Sequence, residues 1–370
     1  MAPSRIYLVG TTGHPNYGDE LIGASWLRYL ARTSPDAEVW LDSPSPGGSE
    51  LLLGHLHPNV RFVDTVFQLA WAAPSEEPWV VADFVGNATR HPGVVPRRAA
   101  GVDLLHGVDV FHILGGGYLN AIWPRHVGIL AAGDVLAREF QARSALTGAG
   151  LTPSAASGAL LSRLTTSYSV LDVRDDDSAK LLGERATSSG DDSFLDLGQH
   201  LYDKRDSRPV MMTLQADLAD IGISAVAEAA LECLQSWGVS GEDVGYVEAM
   251  PGSDRHVFNL LDPLLPGMRF YPFTEVWREG LPARAGQRWL TTRLHMHLLA
   301  AAVGAEGAVI PVEADAYDAT HGALITGGSG WTAVRPGEPT PLPGSDVGFG
   351  PRAAERRGDK RAVAAAIYRQ

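Results

Sequence analysis

Arg293, His295 and His297 are spaced two residues apart at the head of an apolar run, Leu298 to Val303. Ionisable groups seldom open a helix that otherwise reads as buried, so this stretch carries the strongest chemical signal in the chain. Arginine grips a carboxylate or phosphate through two parallel N–H groups, and histidine is the side chain whose ordinary charge change falls near neutral pH. Arg293 and His295 therefore offer anion capture beside a general acid or base. At helical spacing Arg293 and His297 share a face and His295 points elsewhere, and a packing histidine is the plainer reading of His297. The histidines lack H-E-x-x-H spacing and no third ligand is evident, so no metal is expected.

Three earlier stretches carry weaker signals. Gly13-His14-Pro15-Asn16-Tyr17-Gly18-Asp19-Glu20 joins glycines to polar groups at a helix start, where backbone N–H groups favour an anion or a hydroxylated ligand. It equally suits a helix-opening turn capped by Asp19, and it lacks the G-x-G-x-x-G dinucleotide spacing. Gly115-Gly116-Gly117 follows the apolar run Val108 to Leu114 and lets backbone approach a ligand closely, although a tight turn has the same pattern. Arg174 stands after a strand-like segment and before Asp175-Asp176-Asp177-Ser178, which reads either as a ligand-binding arginine or as an exposed ion pair.

The elements that must position these residues alternate strand and helix. Ile6 to Val9, a glycine-bearing loop, a helix over Asp19 to Arg32 and a strand over Glu38 to Leu41 open a parallel α/β sheet. Val60 to Val63 and Trp79 to Val81 read as short strands, and residues 42–60 and 86–101 as exposed connections. A helix is expected over Ala131 to Arg143, a strand over Ser167 to Leu171 and a helix over Asp175 to Glu184. Arg208-Pro209 precedes the apolar run Val210 to Leu214, where the alternation restarts. The expected organisation is an N-terminal Rossmann-like domain over residues 1–204, a second over 205–345, and a loop and helix over 346–370. Ligands of open parallel sheets bind beyond the carboxyl ends of the strands, so the four stretches should face a cleft.

The chain holds 30 basic and 43 acidic residues, a formal charge of -13, so an anionic substrate must find local positive charge and no nucleic-acid partner is expected. Only three of the basic residues are lysines, Lys180, Lys204 and Lys360. A lone cysteine, Cys233, excludes an internal disulfide and a multi-cysteine metal site, and its apolar helical setting suits a buried thiol. Met1 to Arg5 leads directly into a strand and no apolar run is long enough to span a membrane, which leads to an expected cytoplasmic location. Trp71, Trp79 and Trp123 could stack on sugar rings, with core packing the plainer role for each.

Taken in order, the four stretches resemble the motifs of the polysaccharide pyruvyl transferase family. They read Asn16-Tyr17-Gly18-Asp19-Glu20, Leu114 to Gly117, Arg174-Asp175 with Ser178, and Arg293-Leu294-His295, within about residues 6–325. The resemblance implies an architecture similar to GT-B glycosyltransferases, with phosphoenolpyruvate as donor and a hexose of a cell-surface glycan or its lipid-linked precursor as acceptor. No cofactor is implied, and peripheral contact with a lipid-linked glycan is. It places Arg174, Arg293 and His295 in donor binding or catalysis; residue chemistry then suggests His295 as proton donor and Asp19 either as the acceptor of the hydroxyl proton or as a helix cap. Asn16, Gly18, Gly115, Gly116, Gly117, Tyr317 and His321 are its further substrate-binding candidates. The sequence departs from the family at Thr320, where a lysine is expected, leaving His321 or Arg125 to supply the charge. The alternatives are a nucleotide-sugar glycosyltransferase of the same architecture and a catalytically silent glycan-binding relative.

Overall fold

The computed structural model describes residues 4–205, 207–217, 219, 221–312, 317–335 and 338–368, with residues 317–320 described in backbone only. The chain divides into two compact units, one of residues 1–14, 19–196 and 356–370 and the other of residues 15–18 and 197–355.

The first unit is built on strands β1 (Arg5–Val9), β2 (Glu38–Asp42), β3 (Val60–Val63), β4 (Val110–Ile113), β5 (Arg143–Ala149), β6 (Val170–Val173) and β7 (Thr187–Ser188). All pair in parallel in the order β3-β2-β1-β4-β5-β6-β7. The connecting helices are α1 (Tyr17–Thr33), α2 (Pro46–Leu53), α3 (Thr65–Trp71), α4 (Pro78–Arg90), α5 (Ala99–Leu105), α6 (Val127–Glu139), α7 (Gly158–Thr165) and α8 (Asp176–Leu182). Ile6, Tyr7, Leu8 and Val9 are all buried, the unbroken apolar run expected of a parallel strand covered on both faces.

The second unit repeats the plan with β8 (Val210–Thr213), β9 (Val244–Val247), β10 (Arg269–Tyr271), β11 (Arg288–Thr291), β12 (Glu306–Val309) and β13 (Thr332–Ala333). These also pair in parallel, in the order β10-β9-β8-β11-β12-β13. Its helices are α9 (Ile223–Ser236), α10 (Ser253–Leu261), α11 (Phe273–Glu279), α12 (Leu294–Ala302) and α13 (Tyr317–Leu324), and the last helix, α14 (Phe349–Tyr368), begins in this unit and continues in the first from residue 356. In each sheet the strand order reverses once, between β1 and β4 and between β8 and β11. Ligands of open α/β sheets bind at such a reversal, beyond the carboxyl ends of the two strands.

Several local expectations are corrected. Trp79 to Val81 is not a strand but part of α4: Glu77 caps it by accepting from the Trp79 and Val80 N–H groups, and Val81, Val85 and Ala88 form one buried face. The connections over 42–60 and 86–101 contain α2, the end of α4, two short 3-10 turns and the start of α5. The helix expected over Ala131 to Arg143 ends at Glu139, and Arg143 opens β5, whose Ser144, Ala145, Thr147 and Gly148 gave no β-branched apolar signal.

Candidate functional site

At the reversal of the first sheet, the loop after β4 carries Gly115, Gly116 and Gly117. Gly116 holds φ +133°, a conformation that a side chain would strain, and its missing Cβ leaves room for Tyr118 and, a little farther, the Asp19 carboxylate. Asp19 lies in the first turn of α1 and is partly exposed. Just before α1, Asn16 Oδ1 accepts from the Gly18 N–H at 3.3 Å, as a capping side chain does.

Arg174 joins the same cluster through backbone. Its N–H donates to the Ala149 carbonyl, Gly150 N–H donates to the Gly116 carbonyl, and a Cβ at Gly150 would overlap the Arg174 guanidinium. The arginine is largely buried and 3.7 Å from Asp175, not an exposed surface pair. Asp175 caps α8 by accepting from the Ser178 N–H at 2.8 Å, and the Ser178 hydroxyl accepts from Leu151 N–H at 2.9 Å. The R-D-x-x-S element thus holds the loop that flanks the glycines.

Beneath the glycines lies a buried polar network that the sequence did not reveal. One Asp192 oxygen accepts from Gly115 N–H (2.8 Å), Trp26 Nε1 (2.8 Å) and the Thr147 hydroxyl (2.6 Å). The other lies 2.9 Å from Lys360 of α14, which also donates to Asp172 at 2.6 Å. All three charged side chains are fully buried. Burial works against the Lys360 charge, but the two carboxylates outweigh it and raise its pKa. The available signal was the spacing of Lys360 with Ala364 and Ile367, both fully buried on one helix face.

Glu20, also in the first turn of α1, is completely buried. One oxygen accepts from Gly13 N–H at 2.7 Å and the other has no hydrogen-bond partner. Burial, with Asp19 adding to it, pushes the Glu20 carboxyl up to about 8.

At the reversal of the second sheet, Arg293 occupies the N-cap of α12 with extended φ and ψ. Arg293 thus precedes the helix proper, while its carbonyl accepts the i to i+4 bond from the His297 N–H at 3.1 Å. Its guanidinium is engaged by two carboxylates, Asp217 and Asp254, each 2.5 Å from Nη2, and Asp217 reaches Nη1 at 3.3 Å as well. Arg293 Nε is buried without a partner. Asp254 is itself held by Ala249 and Met250 N–H groups at 2.8 and 2.9 Å. Burial opposes the charge on Arg293, but Asp254 and Asp217 keep it fully protonated. Sequence reasoning missed both acids; Asp217 follows the strand beside β11, a place that the strand order makes worth reading.

His295, on the first turn of α12, is partly exposed. Residues 15–18 belong to the second unit, where Tyr17 N–H donates to the Ala249 carbonyl at 2.9 Å and a Cβ on Gly18 would overlap the His295 imidazole. The Asn16-Tyr17-Gly18 and Arg293-Leu294-His295 motifs thus meet at these two residues.

His297 and His321 stack on each other inside the second unit. Both are buried, their Nδ1 atoms 3.1 Å apart. His321 Nε2 faces the Thr292 carbonyl at 3.1 Å and His297 Nε2 faces the Ser329 hydroxyl at 2.9 Å. A carbonyl only accepts, so His321 carries a proton on Nε2, and a single proton is shared between the two facing Nδ1 atoms. Both His321 nitrogens are thus engaged, by the Thr292 carbonyl and by His297. Burial, with His321 adding to it, holds the His297 pKa well below the ordinary value.

Arg125 is engaged by other groups: Nη1 donates to the Ala73 (2.6 Å) and Trp71 (3.3 Å) carbonyls and Nε to Glu76 at 3.3 Å. The side chains of Tyr317 and Thr320 lie outside the described residues. Trp71, Trp79 and Trp123 are exposed at 50%, 38% and 42%, so none is the core residue expected. No group of metal-binding side chains occurs among the described residues. No helix there is long and apolar enough to cross a membrane.

The polysaccharide pyruvyl transferase family model matches residues 16–234, more than half of the chain. The chain belongs to the polysaccharide pyruvyl transferase family. The match takes in the first three motifs and stops short of Arg293 and His295. No curated protein matches this family member. Among solved structures, UDP-GlcNAc 2-epimerase from Neisseria meningitidis bound to UDP-GlcNAc is similar with a TM-score of 0.53 and 10% identity, over 99% of this chain and 100% of that one. Phytolacca americana UGT2, complexed with UDP-2-fluoro-glucose and pterostilbene, is similar with a TM-score of 0.51 and 12% identity, over 99% and 94%. Identity this low speaks to fold alone, and the fold is the GT-B arrangement of two parallel sheets with flanking helices.

Proposed function

We propose that this transferase-family member moves the pyruvyl group of phosphoenolpyruvate onto a hexose of a cell-surface polysaccharide or its precursor, closing a ketal and releasing phosphate. The observation that carries the reading is the seating of His295 against Gly18, which brings a titratable group of the second unit onto the motif where the family match begins. In this reading Arg293 and Arg174 take the carboxylate and phosphate of the donor. His295, protonated, donates to C3, and the C2–C3 pair of electrons forms the new C–H bond, leaving oxocarbenium character at C2. A sugar hydroxyl attacks C2 and passes its proton to a carboxylate, for which Asp19 is the candidate. The C2–O bond to phosphate then breaks, and a neighbouring hydroxyl closes the ketal with loss of its proton.

Turnover in deuterium oxide, read by proton NMR, tests this. Transfer through C3 protonation yields a methyl group carrying one deuterium, whereas a retained methylene would mean that enolpyruvyl transfer stops short of the ketal. A second reading, a catalytically silent relative that binds glycans, draws support from the two carboxylates on Arg293 and from Thr320 in the lysine position. That protein would consume no phosphoenolpyruvate with any hexoside.

A further inference from the structure

Arg293 presents a difficulty to the function just proposed, and its resolution rests on that reading. A guanidinium that must receive an anionic donor is already neutralised, and with two carboxylates the cluster carries a net formal charge of −1. A donor bearing carboxylate and phosphate would meet repulsion there.

The two acids are not equivalent. Asp254 is fully buried and accepts two backbone N–H bonds, so displacing it would leave a buried carboxylate and two buried amides unpaired. Asp217 has 31% of its side chain exposed and sits on the loop after β8, across the sheet reversal from Arg293. Its two oxygens address both Nη atoms, the arrangement in which a substrate carboxylate or phosphate binds an arginine. The Ser253 hydroxyl donates to the same Asp217 carboxylate at 2.5 Å, from the first residue of α10. Arg293 Nε still lacks an acceptor.

We propose that Asp217 is an internal stand-in for the anionic donor: it occupies the seat on Arg293 in the unliganded protein and is displaced when phosphate or carboxylate binds, while Asp254 remains and orients the guanidinium. Ser253 then passes its hydroxyl hydrogen bond from Asp217 to the incoming anion. Displacement costs apparent affinity in proportion to how rarely the seat is open, and it keeps the arginine from holding weaker anions. Asp217 is poorly suited to the alternative task of proton acceptor: although burial raises its carboxyl, Arg293 and the Ser253 hydroxyl bring it below the usual carboxylate value.

The test is isothermal titration of the full chain with inorganic phosphate and with phosphoenolpyruvate, comparing wild type, Asp217→Asn and Arg293→Lys. Asparagine keeps the size and can still accept from Ser253, so it removes the competing charge with little other change. Asp217→Asn should bind both ligands about tenfold more tightly, and the donor KM should fall with kcat retained. Arg293→Lys should lose the binding that Asp217→Asn gained. Unchanged or weaker binding by a folded Asp217→Asn protein would overturn the proposal, as would a large fall in kcat with donor KM unchanged, which marks a proton acceptor. If no protein releases phosphate with any hexoside, the pyruvyl-transfer reading fails, while the phosphate titration still decides the role of Asp217.

Discussion

Gly18 and His295 are in contact so close that no side chain fits between them: a Cβ at position 18 would overlap the imidazole. Gly18→Ala must therefore move either the histidine or the loop. A displacement of about 1 Å at a reacting group costs on the order of 10²-fold in rate, so Gly18→Ala should lose about that much kcat. Gly18 is buried in the first turn of α1, so the thermal midpoint should fall as well, and the loss of kcat is read below that midpoint on the folded variant. Full kcat in the variant would show that His295 need not hold this place.

Glu20 gives a stability signature with a defined sign. Its folded value of about 8 lies above the ordinary carboxyl value of about 4.5, so the fold favours the protonated form. The favourable contribution is complete below about pH 4.5 and is lost as pH rises toward 8, at about 1.4 kcal/mol per pH unit. Glu20→Gln can still accept from Gly13 N–H and carries no charge to lose. Urea unfolding of the two proteins should show the variant gaining on wild type as pH rises from 5 to 8. Parallel pH profiles would contradict the buried, protonated carboxyl.

His297 acts in the opposite direction. Its folded pKa is depressed, so the fold favours the neutral ring and this contribution is present above about pH 6.5 and lost below it, again at about 1.4 kcal/mol per unit. His112, buried between Tyr368 and Thr147 and lowered to about 3, adds a second loss of the same sign. His297→Gln can donate to His321 and accept from Ser329 without titrating. The wild-type advantage over this variant should shrink between pH 6.5 and 5; a constant difference would mean that the ring protonates in place.

Lys360→Met leaves Asp172 and Asp192 buried without their cation. Breaking a buried pair by removing one partner costs about 3–5 kcal/mol, and the unfolding midpoint in urea should fall accordingly. A change below about 0.5 kcal/mol would show that the network tolerates its loss by protonation.

The alternation of the two sheets was legible because buried parallel strands, such as Ile6 to Val9 and Val210 to Thr213, are unbroken apolar runs. It failed where packing replaced propensity. β5 is buried through Ser144, Ala145, Thr147 and Gly148, which look like a loop, and Trp79-Val80-Val81 looks like a strand until the Glu77-Pro78 helix start is weighed. At the site, the motif residues were visible but their partners were not. Asp217 lies 76 residues from Arg293, and Asp192 is 77 from the Gly115 amide that it holds. Such pairs are set by strand order, which no local pattern encodes. For the same reason the pairing of His321 with His297 and the Thr292 carbonyl was not legible.

The most direct test of the central claim is phosphate release from phosphoenolpyruvate across a panel of hexosides, with wild type and His295→Ala compared at saturating donor. The account predicts release only when both substrates are present, and a loss of about 10²- to 10⁴-fold in the variant, the usual share of a general acid. Acceptor-dependent release at the full wild-type rate by His295→Ala would contradict it.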